Sequence, residues 1–98
     1  MTHLRISFRP LPSGKVAAMI AWRPGDRNGL PQMFVLRVKV NGQDRVKNKA
    51  VSGTRVTVGN IPKRDFHNRA SKVLAFVVAG NTQYYGPGTV TKEAYVPQ

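Results

Sequence analysis

The sequence predicts an all-β fold, an antiparallel two-layer sandwich of seven strands. Three observations carry that expectation. Apolar residues recur with period two in run after run, as on strands with one wet and one dry face. Pro, Gly and Asn cluster between the runs, where turns belong. No stretch has the sustained spacing of a long amphipathic helix.

The runs come in order. Leu4–Phe8 alternates apolar and polar and stops at Pro10, Pro12 and Gly14. Lys15–Trp22 carries Val16, Ala18, Ile20 and Trp22 on one face, with the smaller Ala17, Met19 and Ala21 on the other. Pro24, Gly25, Asn28, Gly29 and Pro31 make the next segment a loop. Met33–Val40 and Gln43–Lys49 then flank Asn41-Gly42. That dipeptide tolerates the positive φ that a type I′ hairpin turn needs at both central positions. On the first arm Phe34, Leu36, Val38 and Val40 share one face. The other face begins with Met33 and Val35 and ends with Arg37 and Lys39. On the second arm Arg45, Lys47 and Lys49 recur at period two, so all three are expected to point the same way. Thr54–Val58 is a short strand with Val56 and Val58 inward, and Gly59 to Pro62 leads out of it. Lys63–Lys72 is the least strand-like stretch and has room for one helical turn. Val73–Ala79 is apolar on both faces, which normally marks a central strand covered on both sides. Gly80–Gly88 is a turn-rich loop holding Tyr84 and Tyr85, and Thr89–Tyr95 is the last strand.

The 98 residues suit one domain spanning 1–98. Without cysteine, neither a disulfide framework nor a thiolate metal site is available. No apolar run reaches signal-peptide or bilayer length, and no Asn-x-Ser/Thr sequon occurs. These features lead us to expect a cytoplasmic product with no membrane span, compatible with later incorporation into a particle. Charge is the strongest compositional signal. Sixteen Lys and Arg face four acids, a net +12, where solubility alone needs roughly 2–8. Such a surface suits a partner of negative potential.

Each candidate site also has a plainer role open to it. Trp22 ends a strand of apolar neighbours and reads as core. Asp65, His67 and Ser71 are the residue types of a nucleophilic set. All three fall in one short loop, without the rigid scaffold such catalysis needs. His3 and His67 are far apart and the acids are scattered, so no ligand spacing for a metal appears, and no cofactor is expected. Gly86-Pro87-Gly88 opens no helix, which argues against a phosphate loop. Tyr84 and Tyr85 are candidate contact anchors, since large rigid rings with polar tips serve well on loops.

The order of features resembles a fibronectin type III domain, an immunoglobulin-like sandwich. Ala21-Trp22-Arg23-Pro24 is similar to that family's Trp closing the second strand, and Phe34 to the aromatic opening its third. Asn60-Ile61-Pro62 approximates the element after its fifth strand. Val77-Val78-Ala79 through Gly86-Pro87-Gly88 resembles its sixth strand and following loop. The family's corner Tyr has no counterpart here; Phe66 stands nearest and lacks the hydroxyl, and Lys63–Lys72 is longer than the pattern. The resemblance implies a binding or spacing module rather than an enzyme. It also implies that the third and sixth strands are neighbours. Met33 and Val35 would then join Leu74, Phe76 and Val78 in one outward apolar patch, unless the Lys63–Lys72 loop folds over it.

Three functions compete at this level. One is a non-catalytic assembly module, of the type of accessory proteins of virus or phage particles. It would dock on a larger protein assembly with an acidic surface through Met33, Val35, Phe76, Tyr84 and Tyr85. Its electrostatic attraction would come from Arg37, Lys39, Arg45, Lys47 and Lys49, with Lys63, Arg64 and Arg69. The second is a small basic nucleic-acid-binding protein, favoured by charge. Against it, stacking platforms need aromatics interleaved with cations, and Phe8, Trp22 and Phe34 read as internal. The third, an adhesion or receptor module, lacks the expected signal, disulfides and sequons.

Overall fold

Alternation decides which side of each strand is dry, and the computed structural model shows the pattern closing on itself. It describes residues 2–23, 33–79 and 89–98. Within these, seven strands form two antiparallel sheets: β1 (Thr2–Pro10), β2 (Val16–Arg23), β3 (Phe34–Val40), β4 (Gln43–Val51), β5 (Arg55–Ile61), β6 (Lys72–Ala79) and β7 (Thr89–Tyr95). The three-stranded sheet runs β1-β2-β5 and the four-stranded sheet β4-β3-β6-β7. Two stacked antiparallel sheets make a β-sandwich, compatible with an immunoglobulin-like arrangement. No helix occurs among the described residues.

The core lies between the sheets. Val16, Ala18, Ile20 and Trp22 of β2 face Phe34, Leu36, Val38 and Val40 of β3, with Val73, Ala75 and Val77 of β6 beside them, all buried. Trp22 meets Phe34 edge-on, with ring centroids 5.5 Å apart at 72°. This arrangement sets the positive ring edge against the negative ring face. The Asn41-Gly42 turn has φ of 53° and 83°, as a type I′ hairpin demands.

Two expectations need correction. β5 does not stop at Val58. Its pairing with β2 shifts between Val16↔Ile61 and Ala18↔Val58, and Asn60 takes φ 57°. The extra residue is absorbed in the left-handed region, which Asn tolerates better than most, and Ile61 is turned fully into the core. β4 likewise carries two irregularities against β3. One lies between Leu36↔Lys49 and Val38↔Val46, spanning Asn48 at φ 48°; the other lies between Val38↔Val46 and Lys39↔Asp44. Period two therefore fails along β4, and its three cations do not share a face.

Candidate functional site

The outer side of the four-stranded sheet can be read in rows across the strands. Val78 pairs with Val35, Phe76 with Arg37 and Leu74 with Lys39. Because Val73, Ala75, Val77 and Ala79 are buried inward, Leu74, Phe76 and Val78 project outward. The expected neighbours Met33, Val35, Phe76 and Val78 are thus brought onto one side. Met33 is 47% exposed and Val78 37%, whereas Val35 and Phe76 are half-buried. β6 is central in its sheet, as its composition suggested, but among the described residues only its inward side is covered by the other sheet.

Further along the same face the surface turns polar. Arg37 donates from Nε to Oδ1 of Asp44 at 3.1 Å and from Nη2 to Oδ2 at 3.4 Å. That two-pronged contact holds the Asp44 carboxyl below its usual value, burial opposing. Arg37 is therefore tied down within the sheet rather than held out to a partner. Arg45 turns the other way. Its guanidinium donates to the carbonyls of Gly59 at 2.6 Å and Asn60 at 3.4 Å, fastening the edge of one sheet to the other. Lys49 lies level with the buried Leu36 and so sits on the inward side of an exposed edge. Lys47 follows the inward Val46 and faces out, on the side of Lys39. The five cations expected to form one basic hairpin face are thus divided among three settings.

Lys63–Lys72 contains no helical turn. Lys63–Ser71 and Asp65–Arg69 hydrogen bonds and an Arg64↔Ala70 bridge close it into a narrow loop. Asp65 organises the tip. Its Oδ1 accepts from the backbone N–H of His67 at 2.8 Å and of Arg69 at 2.9 Å, and its Oδ2 lies 3.4 Å from Arg69 Nε. The backbone donors, Arg69's first, lower the Asp65 pKa against burial. Asn68 at φ 59° completes the reversal. Ser71 is fully buried and its Oγ accepts from Asn41 Nδ2 at 3.1 Å, so Asp65 holds the loop tip, with the backbone N–H of His67 as one donor, and Ser71 fastens the loop to the hairpin turn.

The loop sits at the hairpin-turn end of the sheet and leaves the apolar patch open. Asn41 Oδ1 accepts from the Lys72 N–H at 2.9 Å, and Gln98 Nε2 donates to the Lys63 carbonyl at 2.8 Å. With the Asn41-Gly42 turn and β7, the loop bounds a cleft of about 530 Å³. Two aromatics border that cleft: Phe66, 91% exposed at the loop tip, and Tyr95, 60% exposed at the end of β7. His67, Arg69 and Lys72 line it too. Phe66 is accordingly no substitute for a packed corner Tyr. Sequence reading missed both rings as surface groups. The available signals were the Asp-led turn, which lifts its second residue away from the body, and the parity of β7, which sets Tyr95 opposite the buried Val96.

The outer face of the three-stranded sheet is a second surface that sequence reading passed over. Arg5 and Arg55 stand on either side of Ala21 and border a shallow trough with Ser7 and Met19. The small residues of β2 leave that space.

Tyr84 and Tyr85 lie outside the described residues. Among the described residues no group of three or more His, Asp or Glu is placed to hold a metal ion, and no helix is long and apolar enough to cross a membrane. No family model, curated protein or solved structure matches this chain, so function has to be argued from these surfaces alone.

Proposed function

We propose that the chain is a non-catalytic docking module that attaches to a larger protein assembly through the outer face of its four-stranded sheet. One observation carries the reading. Met33, Val35, Phe76 and Val78 lie together on one sheet face, and the first and last are substantially exposed. Contiguous apolar surface of this kind usually marks a protein contact. Lys39 and Lys47 lie on the same side, where cations steer encounter with an acidic partner. A virus or phage shell is the assembly class we favour; that narrower choice rests on the lack of cysteine and the charge, not on a site.

A photo-crosslinking phenylalanine analogue in place of Val78, in the producing cell, tests the reading. One discrete protein adduct is expected, lost when Met33→Glu or Val35→Glu is added while the far-UV spectrum is unchanged. An adduct pattern indifferent to Met33→Glu, or none, overturns it. Phe76→Ser should weaken attachment far more than Lys39→Ala, since interface energy concentrates in desolvated aromatics. Tyr85→Ala, between β6 and β7 in the sequence, is the companion test.

A further inference from the structure

We propose that the cleft between the Lys63–Lys72 loop and the end of β7 binds single-stranded nucleic acid, with Phe66 and Tyr95 as stacking surfaces for bases. The site is separate from the docking face and goes beyond that reading.

Phe66 is the starting point. A phenylalanine 91% exposed has no packing role to explain it. Nor is it on a loosely held tip: Asp65, one residue before, fixes the turn through the backbone of His67 and Arg69. The loop's base is also secured, by Asn41 to Ser71 and Lys72 and by Gln98 to Lys63. The ring is therefore presented at a defined place, and Tyr95 borders the same cleft from β7. Two exposed rings on a braced frame suit a planar ligand that has two faces to offer.

Charge selects the class of ligand. The loop carries Lys63, Arg64, Arg69 and Lys72 against one acid, Asp65. That acid is consumed internally by two backbone donors and the Arg69 guanidinium. The cleft wall itself holds Arg69, paired with Asp65, and Lys72, while Lys63 and Arg64 stand elsewhere on the loop, Arg64 donating to the Asn68 carbonyl. The cleft thus sets aromatic surface beside a basic loop. Proteins that bind single strands combine the same two features: cations track the backbone, and rings stack on bases whatever the sequence. A duplex keeps its bases inside the stack and offers the rings nothing. An apolar protein anchor would call for charge at the rim rather than lining the cleft.

The test is a titration of fluorescein-labelled (dT)20 and of a duplex of equal length into the purified chain at several salt concentrations. The wild type is expected to bind the single strand more tightly than the duplex. Phe66→Ala and Tyr95→Ala should each weaken single-strand binding, by roughly 5- to 150-fold. Neither should change the salt slope or the melting temperature. Lys72→Ala should instead lower the slope of log K against log salt by about 0.7. Should Tyr95→Ala perturb the fold, Tyr95→Phe keeps the ring and is expected to retain wild-type affinity. Met33→Glu, in the docking face, should leave the effect of Phe66→Ala intact, so the two readings can fail separately. The proposal is overturned if (dT)20 does not bind at low salt, or if the duplex binds as tightly. It is also overturned if the aromatic variants bind like wild type while only charge variants lose affinity. Loss of a protein partner on Phe66→Ala, without any oligonucleotide binding, overturns it too and assigns the ring to a protein interface.

Discussion

Trp22→Ala tests the sandwich where its two sheets meet. The indole is 4% exposed and sits edge-on to Phe34. A buried aromatic of this size removes some 150–250 Å² from water, about 4–6 kcal/mol at ~25 cal/mol per Å². The edge-to-face contact adds about 0.5–1.5 kcal/mol. One feature opposes: the buried Nε1 has no acceptor among the described residues. Truncation relieves a donor whose desolvation costs about 1–3 kcal/mol. The net expectation is a loss of about 3–5 kcal/mol, in line with emptied large core sites. Equilibrium urea unfolding measures it. Because Trp22 is the only tryptophan, far-UV dichroism must replace fluorescence as the probe. A domain of this size holds about 5–15 kcal/mol in all, so the variant is expected to approach its unfolding threshold. Trp22→Phe keeps a ring against Phe34, discards the orphan donor, and should cost much less than Trp22→Ala. A loss below about 1 kcal/mol for Trp22→Ala, with the denaturant slope unchanged, is what surface positions give and would refute the reasoning.

Asn60→Val should cost about 1–2 kcal/mol, the penalty of a β-branched residue at φ 57°, while Asn60→Gly stays near neutral; urea midpoints decide. Asp65 and Asp44 have pKa values lowered in the folded chain, from an ordinary 3.8, so their stabilisation is complete above that value and is lost as pH falls through the lower folded ones. Melting temperature should therefore drop on acidification below about pH 4, and Asp65→Asn, which keeps an acceptor but no charge, should shrink the drop. Paired Lys47→Val and Lys49→Val changes should raise concentration-dependent self-association in sedimentation, because charge on an exposed edge such as β4 blocks strand addition. Lys47→Glu with Lys49→Glu should not raise self-association, while slowing the encounter with an acidic partner.

What was legible in the sequence followed from parity. Phe34, Leu36, Val38 and Val40 sit at alternate positions of an unbroken strand, and counting by two puts all four on the dry face. For Val73–Ala79, apolar on both faces, parity did not choose the inward side. The row of Val35, Phe76 and Val78 followed only from the resemblance that makes β3 and β6 neighbours, and the burial of Val73, Ala75 and Val77 decides it. Parity failed wherever a residue was inserted. Asn48 and Asn60 adopt left-handed backbone, and each resets the count: Lys49 falls on the face opposite to the one counted, and Ile61 turns inward beyond the point where its strand was expected to end. Asn is the residue that permits the reset, but many Asn do not make one, and pairing partners cannot be seen in one strand alone. The cleft was illegible for a different reason. Asn41, Phe66 and Tyr95 come from three separate segments, and only the packing of the Lys63–Lys72 loop against the hairpin end collects them.

The two proposed surfaces occupy opposite ends of one sheet, and that placement limits how they can influence each other. From the Val78 row to the Lys72 row is six residues along β6, or about 20 Å at ~3.3 Å per residue. Energetic coupling between sites is usually small beyond about 7–10 Å unless a shared element has two arrangements. β3 and β6 are fully paired over this span and their inward residues are locked in the core. Such a sheet has no evident second packing through which one ligand could report to the other. Occupation of the docking face should then leave the cleft's affinity unchanged, apart from long-range charge that salt screens within about 8 Å at physiological strength. A protein built this way would join two partners by holding them at a fixed separation on a rigid plate, each contact contributing its own free energy.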